Sequence, residues 1–117
     1  MVVSDLHLGF EGELQEKGIR IPSQTNRVLA ELLKMAERAK ASRIILLGDV
    51  KHGVPAASHM EWRHIPGFLR ELSSRVSSLE IVMGNHDGAL LPLTPRNIII
   101  RPPQGLRVGD AWLIHGH

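Results

Sequence analysis

The 117-residue sequence has no cysteine and no tyrosine. Without thiols there is no disulfide framework, no cysteine-held zinc and no thiol nucleophile, so any metal must be bound by oxygen and nitrogen donors. Aromatic residues make up only 3% of the chain, too few for the stacked platforms that grip single-stranded nucleic acid. No apolar run is long enough to cross a bilayer. The N-terminus lacks the basic and long apolar regions of a signal peptide. No membrane role and a cytoplasmic setting are therefore expected. The formal charge is +2 with a pI near 9.5 and no dense basic run. That balance permits a nucleic-acid partner without indicating one. What remains, 43% hydrophobic and 22% charged residues, is the composition of a globular domain. The length allows one buried core, so residues 1–117 are expected to form a single domain.

Met1 to Ser4 reads as a short buried strand. Phe10 to Pro22, charged and carrying Gly12 and Gly18, reads as a surface loop. Ser23 to Ala41 has the clearest helical pattern, with Ser23 as N-cap and Val28, Leu29, Leu32, Leu33, Ala36 and Ala39 on one face. Ile44 to Leu47 is continuously apolar, as suits a strand covered on both sides. Met60 to Val76 reads as mostly helical, with Pro66 starting or breaking it. Leu79 to Met83 and Ile98 to Ile100 are further strands. Leu106 to Val108 and Ala111 to Ile114 form a hairpin around Gly109-Asp110. The order predicts an α/β layer fold, with parallel strands first and a β-rich half after them.

Four of these apolar runs end in polar clusters: Asp5 and His7, Asp49, Asn85-His86-Asp87, and His115. Open α/β sheets place their sites at the carboxyl ends of strands. Taken singly, each cluster has a bland explanation: D-x-H arises often by chance, G-D is commonly a turn, Asn85 suits a turn, and a lone histidine is usually structural. The conjunction is what points to a site. Asp5 and His7, two apart in extended backbone, would face one ion together. Two carboxylates, two imidazoles and a carboxamide suit Mn, Fe, Zn or Ni. Two such ions about 3.5–4 Å apart can clamp a phosphoryl oxygen and activate water.

Asp5-Leu6-His7, Gly48-Asp49 with His52, Gly84-Asn85-His86-Asp87 and His115-Gly116-His117 resemble successive blocks of the calcineurin-like metallophosphoesterase superfamily. Leu47 to His52 further resembles the archaeal and bacterial branch related to the Mre11 and SbcD nucleases, some of whose members sit beside DNA helicases and ligases. The resemblance implies an α-β-β-α layered sheet sandwich with two divalent ions, manganese foremost. Asp5 and His7 would bind the first ion, Asp49 would bridge, and Asn85 and His115 would bind the second. His86 would face the phosphate and protonate the leaving oxygen, with Asp87 orienting and charging it. A metal-bound hydroxide would attack in line. His52, three residues after Asp49, would touch a ligand or be a surface loop histidine, His117 would touch ligands rather than ions, and Lys51 or Arg101 would meet substrate phosphate or lie in solvent.

The family's later G-H-x-H block, which supplies two further ligands, does not follow His115-Gly116-His117. The domain is thus expected to be truncated before its last ligand block, and its unfinished sheet would favour homo-oligomers. The expected activity is hydrolysis of phosphomonoesters or phosphodiesters, nucleic acid among them. The competing reading is a non-catalytic scaffold for protein partners, although a scaffold has no use for His86. A single-metal hydrolase fits worse, because asparagine is a poor ligand for a lone catalytic zinc. Trp112 is expected in the core.

Overall fold

The computed structural model describes every residue except Pro55 and His117. Strands β1 (Val2–Ser4), β2 (Arg43–Leu47), β3 (Ser78–Val82) and β4 (Ile99–Arg101) form one parallel sheet in the order β1-β2-β3-β4. Helix α2 (Thr25–Ala39) connects β1 to β2 and α3 (His59–Ser74) connects β2 to β3. Right-handed crossovers that always step in the same direction put their helices on the same face. Accordingly, Leu32 and Ala36 of α2 and Ile65, Phe68, Leu69 and Leu72 of α3 share one core with Ile44, Leu46, Leu79 and Ile81 of the sheet. The β3–β4 connection has only a 3₁₀ turn, Leu91–Leu93, yet it seats Leu90 and Leu93 in that core. Strands β5 (Leu106–Val108) and β6 (Ala111–Leu113) make a separate antiparallel hairpin. Among the described residues, then, the expected layers comprise one helical layer, the parallel sheet and a separate two-stranded sheet. No described helix is long and apolar enough to cross a membrane.

Several local expectations need correction. Phe10–Glu16 is a helix, α1, not a loop. Its buried residue is Glu11 rather than an apolar one, so no apolar stripe announces it. Glu11 accepts a 2.6 Å hydrogen bond from the Gln24 N–H. That bond ties α1 to the start of α2, whose N-cap is Gln24 rather than Ser23. The Ser23 hydroxyl instead accepts from Thr25 N–H just before the helix proper. Pro66 lies inside α3 and does not break it; the adjacent Gly67 is exposed, so the disturbed turn lies near the outer surface. The helix is secured at its start by a reciprocal capping box between Ser58 and Glu61, a device that satisfies two otherwise unpaired N–H groups. Strand β1 is the sheet edge, with Val2 48% exposed. Trp112 is 60% exposed, its indole N–H donating to the Gln104 carbonyl on the surface.

On the sheet face away from the core, Glu80 is bonded from both sides. Arg43 of β2 reaches it at 2.5–2.6 Å and Arg101 of β4 at 2.8–3.1 Å. Burial raises the Glu80 carboxyl, but the two guanidinium groups outweigh it and leave the group below the usual glutamate range. Arg101 is therefore engaged with the sheet and not with substrate.

Candidate metal centre

The segments following β1 and β2 continue side by side after the strands end. Asp5 N–H donates to Gly48 O, His7 N–H to Asp49 O, Leu8 N–H to Val50 O and His52 N–H to Leu8 O, at 2.8–3.1 Å. This zipper holds Asp5 and His7 beside Asp49. The backbone that achieves it is unusual. Among the described residues, four non-glycine positions have positive φ, and three of them are Asp5 (56°), His7 (46°) and Asp49 (52°). Asp5 and His7 thus face the same spot through left-handed turns, not through the strand alternation expected from their spacing, because β1 ends at Ser4. Such conformations cost about 1–3 kcal/mol each and persist where surrounding contacts enforce them.

His7 Nε2 lies 3.9 Å from Asp5 Oδ1 and 3.6 Å from Asp49 Oδ2. One donor atom from each of the three falls within 4.8 Å of the others. From β6, His115 brings Nε2 to 2.8 Å from Asp5 Oδ1 and 3.6 Å from Asp49 Oδ2. The bond to Asp5 raises the His115 imidazole above its ordinary value, and the same bond is the main cause that lowers Asp5. His115 reaches this position over Gly48, where a Cβ would strike its ring and stand 2.7 Å from its Cβ. Asn85, after β3, lays its carboxamide on Asp49. Its oxygen sits 3.1 and 3.2 Å from the two carboxylate oxygens, an arrangement of three oxygens that either an amide flip or a shared cation would satisfy. Gly84 permits this packing, since a Cβ there would lie 2.5 Å from Asp49 N and 3.0 Å from Gly48 Cα.

The sequence-predicted ligands Asp5, His7, Asp49, Asn85 and His115 therefore converge at the carboxyl end of the parallel sheet, although they come from four separate segments. The set is oxygen-rich with two imidazoles, and it brings carboxylate and carboxamide oxygens together without enough donors. That chemistry fits divalent cations that accept oxygen and nitrogen donors. Asp49 is touched by His7, His115 and Asn85.

His86 stands beside the ligands. Its N–H donates to Asp49 Oδ1 at 2.9 Å and its Nδ1 is 2.6 Å from the His52 carbonyl. A carbonyl only accepts, so Nδ1 carries the hydrogen and Nε2 is left for another partner. Asp87 makes its hydrogen bonds elsewhere. Its fully buried carboxylate accepts from Gly84 N–H at 2.9 Å and Lys51 N–H at 3.2 Å. It staples the segment after β3 to the segment after β2. Burial, with Asp49 nearby, pushes the Asp87 carboxyl up despite these bonds.

His52 is no loose surface histidine. Its Nδ1 is 3.3 Å from His7 Nδ1, and its Nε2 is hydrogen-bonded to Glu13 of α1. The His52 contact holds the Glu13 carboxyl below its usual range. Glu13 went unnoticed in the sequence because α1 did, and its E-L-Q spacing alone carries no metal or catalytic signal. Lys51 is likewise corrected. It is completely buried, donating to the Gly53 carbonyl and lying 3.8 Å from Glu61, where it shapes the loop before α3 and meets no substrate. His117 falls outside the described residues. A cleft of about 650 Å³ opens beside this centre, lined in part by His52, His86, Glu13 and Glu16.

A family model for calcineurin-like phosphoesterases matches residues 1–117. Among curated proteins none matches the chain. A solved structure, that of the Pseudomonas putida nuclease MPE, is similar with a TM-score of 0.59 at 18% identity. The alignment covers 92% of this chain and 50% of that one, so the chain spans about half the length of that structure. At this identity the likeness concerns the fold.

Proposed function

This chain belongs to the calcineurin-like phosphoesterase family, and from that premise we propose that it is the metal-holding part of a hydrolase acting on phosphate esters, phosphodiesters of nucleic acid foremost. One observation carries the reading. Five donors from four separate strand ends meet at one point, with a sixth residue, His86, held beside them and one ring nitrogen left open. A structural role asks for no such convergence. The nucleic-acid preference draws on the name of the structural neighbour, a nuclease.

Asp5, His7, Asp49, Asn85 and His115 would hold two divalent ions, with manganese the best match to their oxygen content. When bound, such ions polarise the phosphoryl oxygen and lower the pKa of water. The rest falls to the chain. Asp49, fixed by the His86 N–H, would be held ready to serve the ions. His7 is held against rotation by His52, which in turn is held by Glu13. His86, anchored through Nδ1, presents Nε2. Protonated there, it donates to a phosphate oxygen or to the leaving oxygen. Asp87 keeps Gly84 and Lys51 together, which sets the distance between Asn85 and Asp49.

The test is hydrolysis of bis-p-nitrophenyl phosphate with added manganese, comparing native protein with His86→Ala. Manganese affinity should be unchanged and turnover should fall about 10²–10⁴-fold, the range for a lost general acid. Loss of metal together with turnover would reassign His86 as a ligand. Inertness of a version extended past His117, with metal bound, would refute the enzyme reading.

A further inference from the structure

Besides the oxygen-rich centre, three imidazoles crowd together. His7, His52 and His86 each place one ring nitrogen within 4.8 Å of the other two. The rings meet at centroid distances of 5.3 Å for His7–His52, 4.9 Å for His7–His86 and 5.5 Å for His52–His86. We propose that His7, His52 and His86 form a second, nitrogen-only cation site, selective for zinc-type ions, whose occupation competes with the oxygen-rich centre for His7.

The hydrogen bonds decide which nitrogens carry lone pairs. The Glu13 carboxylate accepts from His52 Nε2, so His52 Nδ1 has its lone pair free, aimed at His7 Nδ1 3.3 Å away. A carboxylate behind a ligating histidine is the usual device for fixing its tautomer and raising its basicity. His86 donates from Nδ1 to the His52 carbonyl, which leaves its lone pair on Nε2. The tautomer of His52 is thus set by Glu13, outside the cluster, and that of His86 by the backbone carbonyl of His52. The third, His7, has Nδ1 toward His52 and Nε2 toward Asp5 and Asp49. A neutral imidazole has a single lone pair. With the hydrogen on Nδ1, His7 donates to His52 and serves the carboxylates. With the hydrogen on Nε2, it serves the imidazole cluster.

The spacing suits the ion. Zinc–nitrogen bonds of about 2.0–2.1 Å in a tetrahedron put neighbouring nitrogens about 3.3–3.4 Å apart, which is the His7–His52 separation. His86 must close in further, and its half-exposed ring at the edge of the 650 Å³ cleft has room to do so. The cleft also leaves a fourth position open to water. Imidazole donors favour zinc, copper and nickel, whereas carboxylate oxygens favour manganese and magnesium. The two centres therefore differ in preference while sharing one residue. A zinc-type ion in the imidazole cluster would withdraw His7 from one centre and occupy the open nitrogen of His86.

The experiment is zinc titration of the purified protein with saturating manganese present. Imidazole ¹⁵N shifts, recorded in a parallel titration with diamagnetic magnesium in place of manganese, identify the ligands, and the electron spin resonance of released manganese follows competition. The same titration is run on His52→Gln and Glu13→Gln. In native protein, zinc should shift His7, His52 and His86 together and release manganese. His52→Gln should lose one zinc equivalent. Glu13→Gln, altered at a half-exposed side chain, should retain the site with about 10–100-fold weaker zinc binding. Simple replacement of manganese at the carboxylates would give the same release in all three proteins, with shifts at His7 and His115 and none at His52 or His86; that result overturns the proposal. Because the native shifts decide by themselves, a misfolded His52→Gln does not protect it. If manganese fails to bind at all, the phosphoesterase reading suffers, and the zinc-induced shifts still decide this one.

Discussion

Replacing Gly84 by alanine adds one methyl group at the point where the segment after β3 crosses the segment after β2. Gly84 is not among the positive-φ glycines, so its backbone accepts alanine and the effect is one of space alone. The added Cβ would lie 2.5 Å from Asp49 N and nearer still to Asp49 Oδ1, with Gly48 Cα at 3.0 Å. Ordinary carbon contacts lie at about 3.5 Å, so relief requires a displacement of about 1 Å. Most of the obstacle is backbone that is zipped to β1 and stapled by Asp87. Rotation of a side chain therefore cannot supply it. A misplacement of about 1 Å in a reacting constellation can cost about 10²-fold in rate, equivalent to about 2.7 kcal/mol of activation free energy. Forcing a methyl into a packed site costs about 1–3 kcal/mol of stability besides. The assay is manganese-dependent hydrolysis by Gly84→Ala at saturating metal, with urea denaturation alongside. Turnover should drop about a hundredfold in protein that is still folded, and manganese affinity should fall with it. Activity within twofold of native, with unchanged metal affinity, would show that Asp49 is not fixed by this crossing and that the geometric reasoning fails.

A converse substitution should stabilise. Gly67 lies within α3 with open space where its Cβ would be, so Gly67→Ala should add about 0.4–1 kcal/mol, seen as a higher urea midpoint with unaltered slope. Glu80→Gln should cost about 1.5–3 kcal/mol, the worth of hydrogen bonds to a charged group, reduced because Arg43 and Arg101 are more than one-third exposed. The pH dependence has a definite sign. Because the folded Glu80 carboxyl is depressed, its contribution is complete above the unfolded glutamate value and is lost as pH falls through the folded one. Urea midpoints measured from pH 7 into the acid range should therefore fall more steeply for native protein than for Glu80→Gln; parallel curves would contradict the assignment.

The parts of this molecule legible in the sequence were those written in periodicity or in strand-end chemistry. The runs Ile44 to Leu47 and Leu79 to Met83, and the stripe of α2, announce a helix-covered parallel sheet, and the structure has one. Five polar residues at strand ends were selected as one site, and they meet. Legibility stopped where burial is polar. Helix α1 was hidden because it buries Glu11, whose partner is a backbone N–H thirteen residues away. Lys51 appeared to be a surface cation because nothing local reveals that Glu61 waits inside α3. Asp87 appeared to serve its neighbour His86, whereas its carboxylate reaches across to another segment. Trp112 was expected in the core because it lies in the apolar last strand, but hairpin registry says nothing about which face is covered.

The left-handed turns at Asp5, His7 and Asp49 bear on when the site is assembled. Their conformational cost falls due as the chain folds, enforced by the backbone zipper between the two segments, and none of it is left for the moment an ion arrives. On the proposed function, an incoming cation would meet side chains already held in place. Loading should then be governed by shedding of water from the ion and not by rearrangement of the protein. Amide hydrogen exchange in the segments after β1 and β2 should hardly change between metal-free and metal-loaded protein. Fidelity would thus reside in the polypeptide backbone, which outlasts each ion that passes through it.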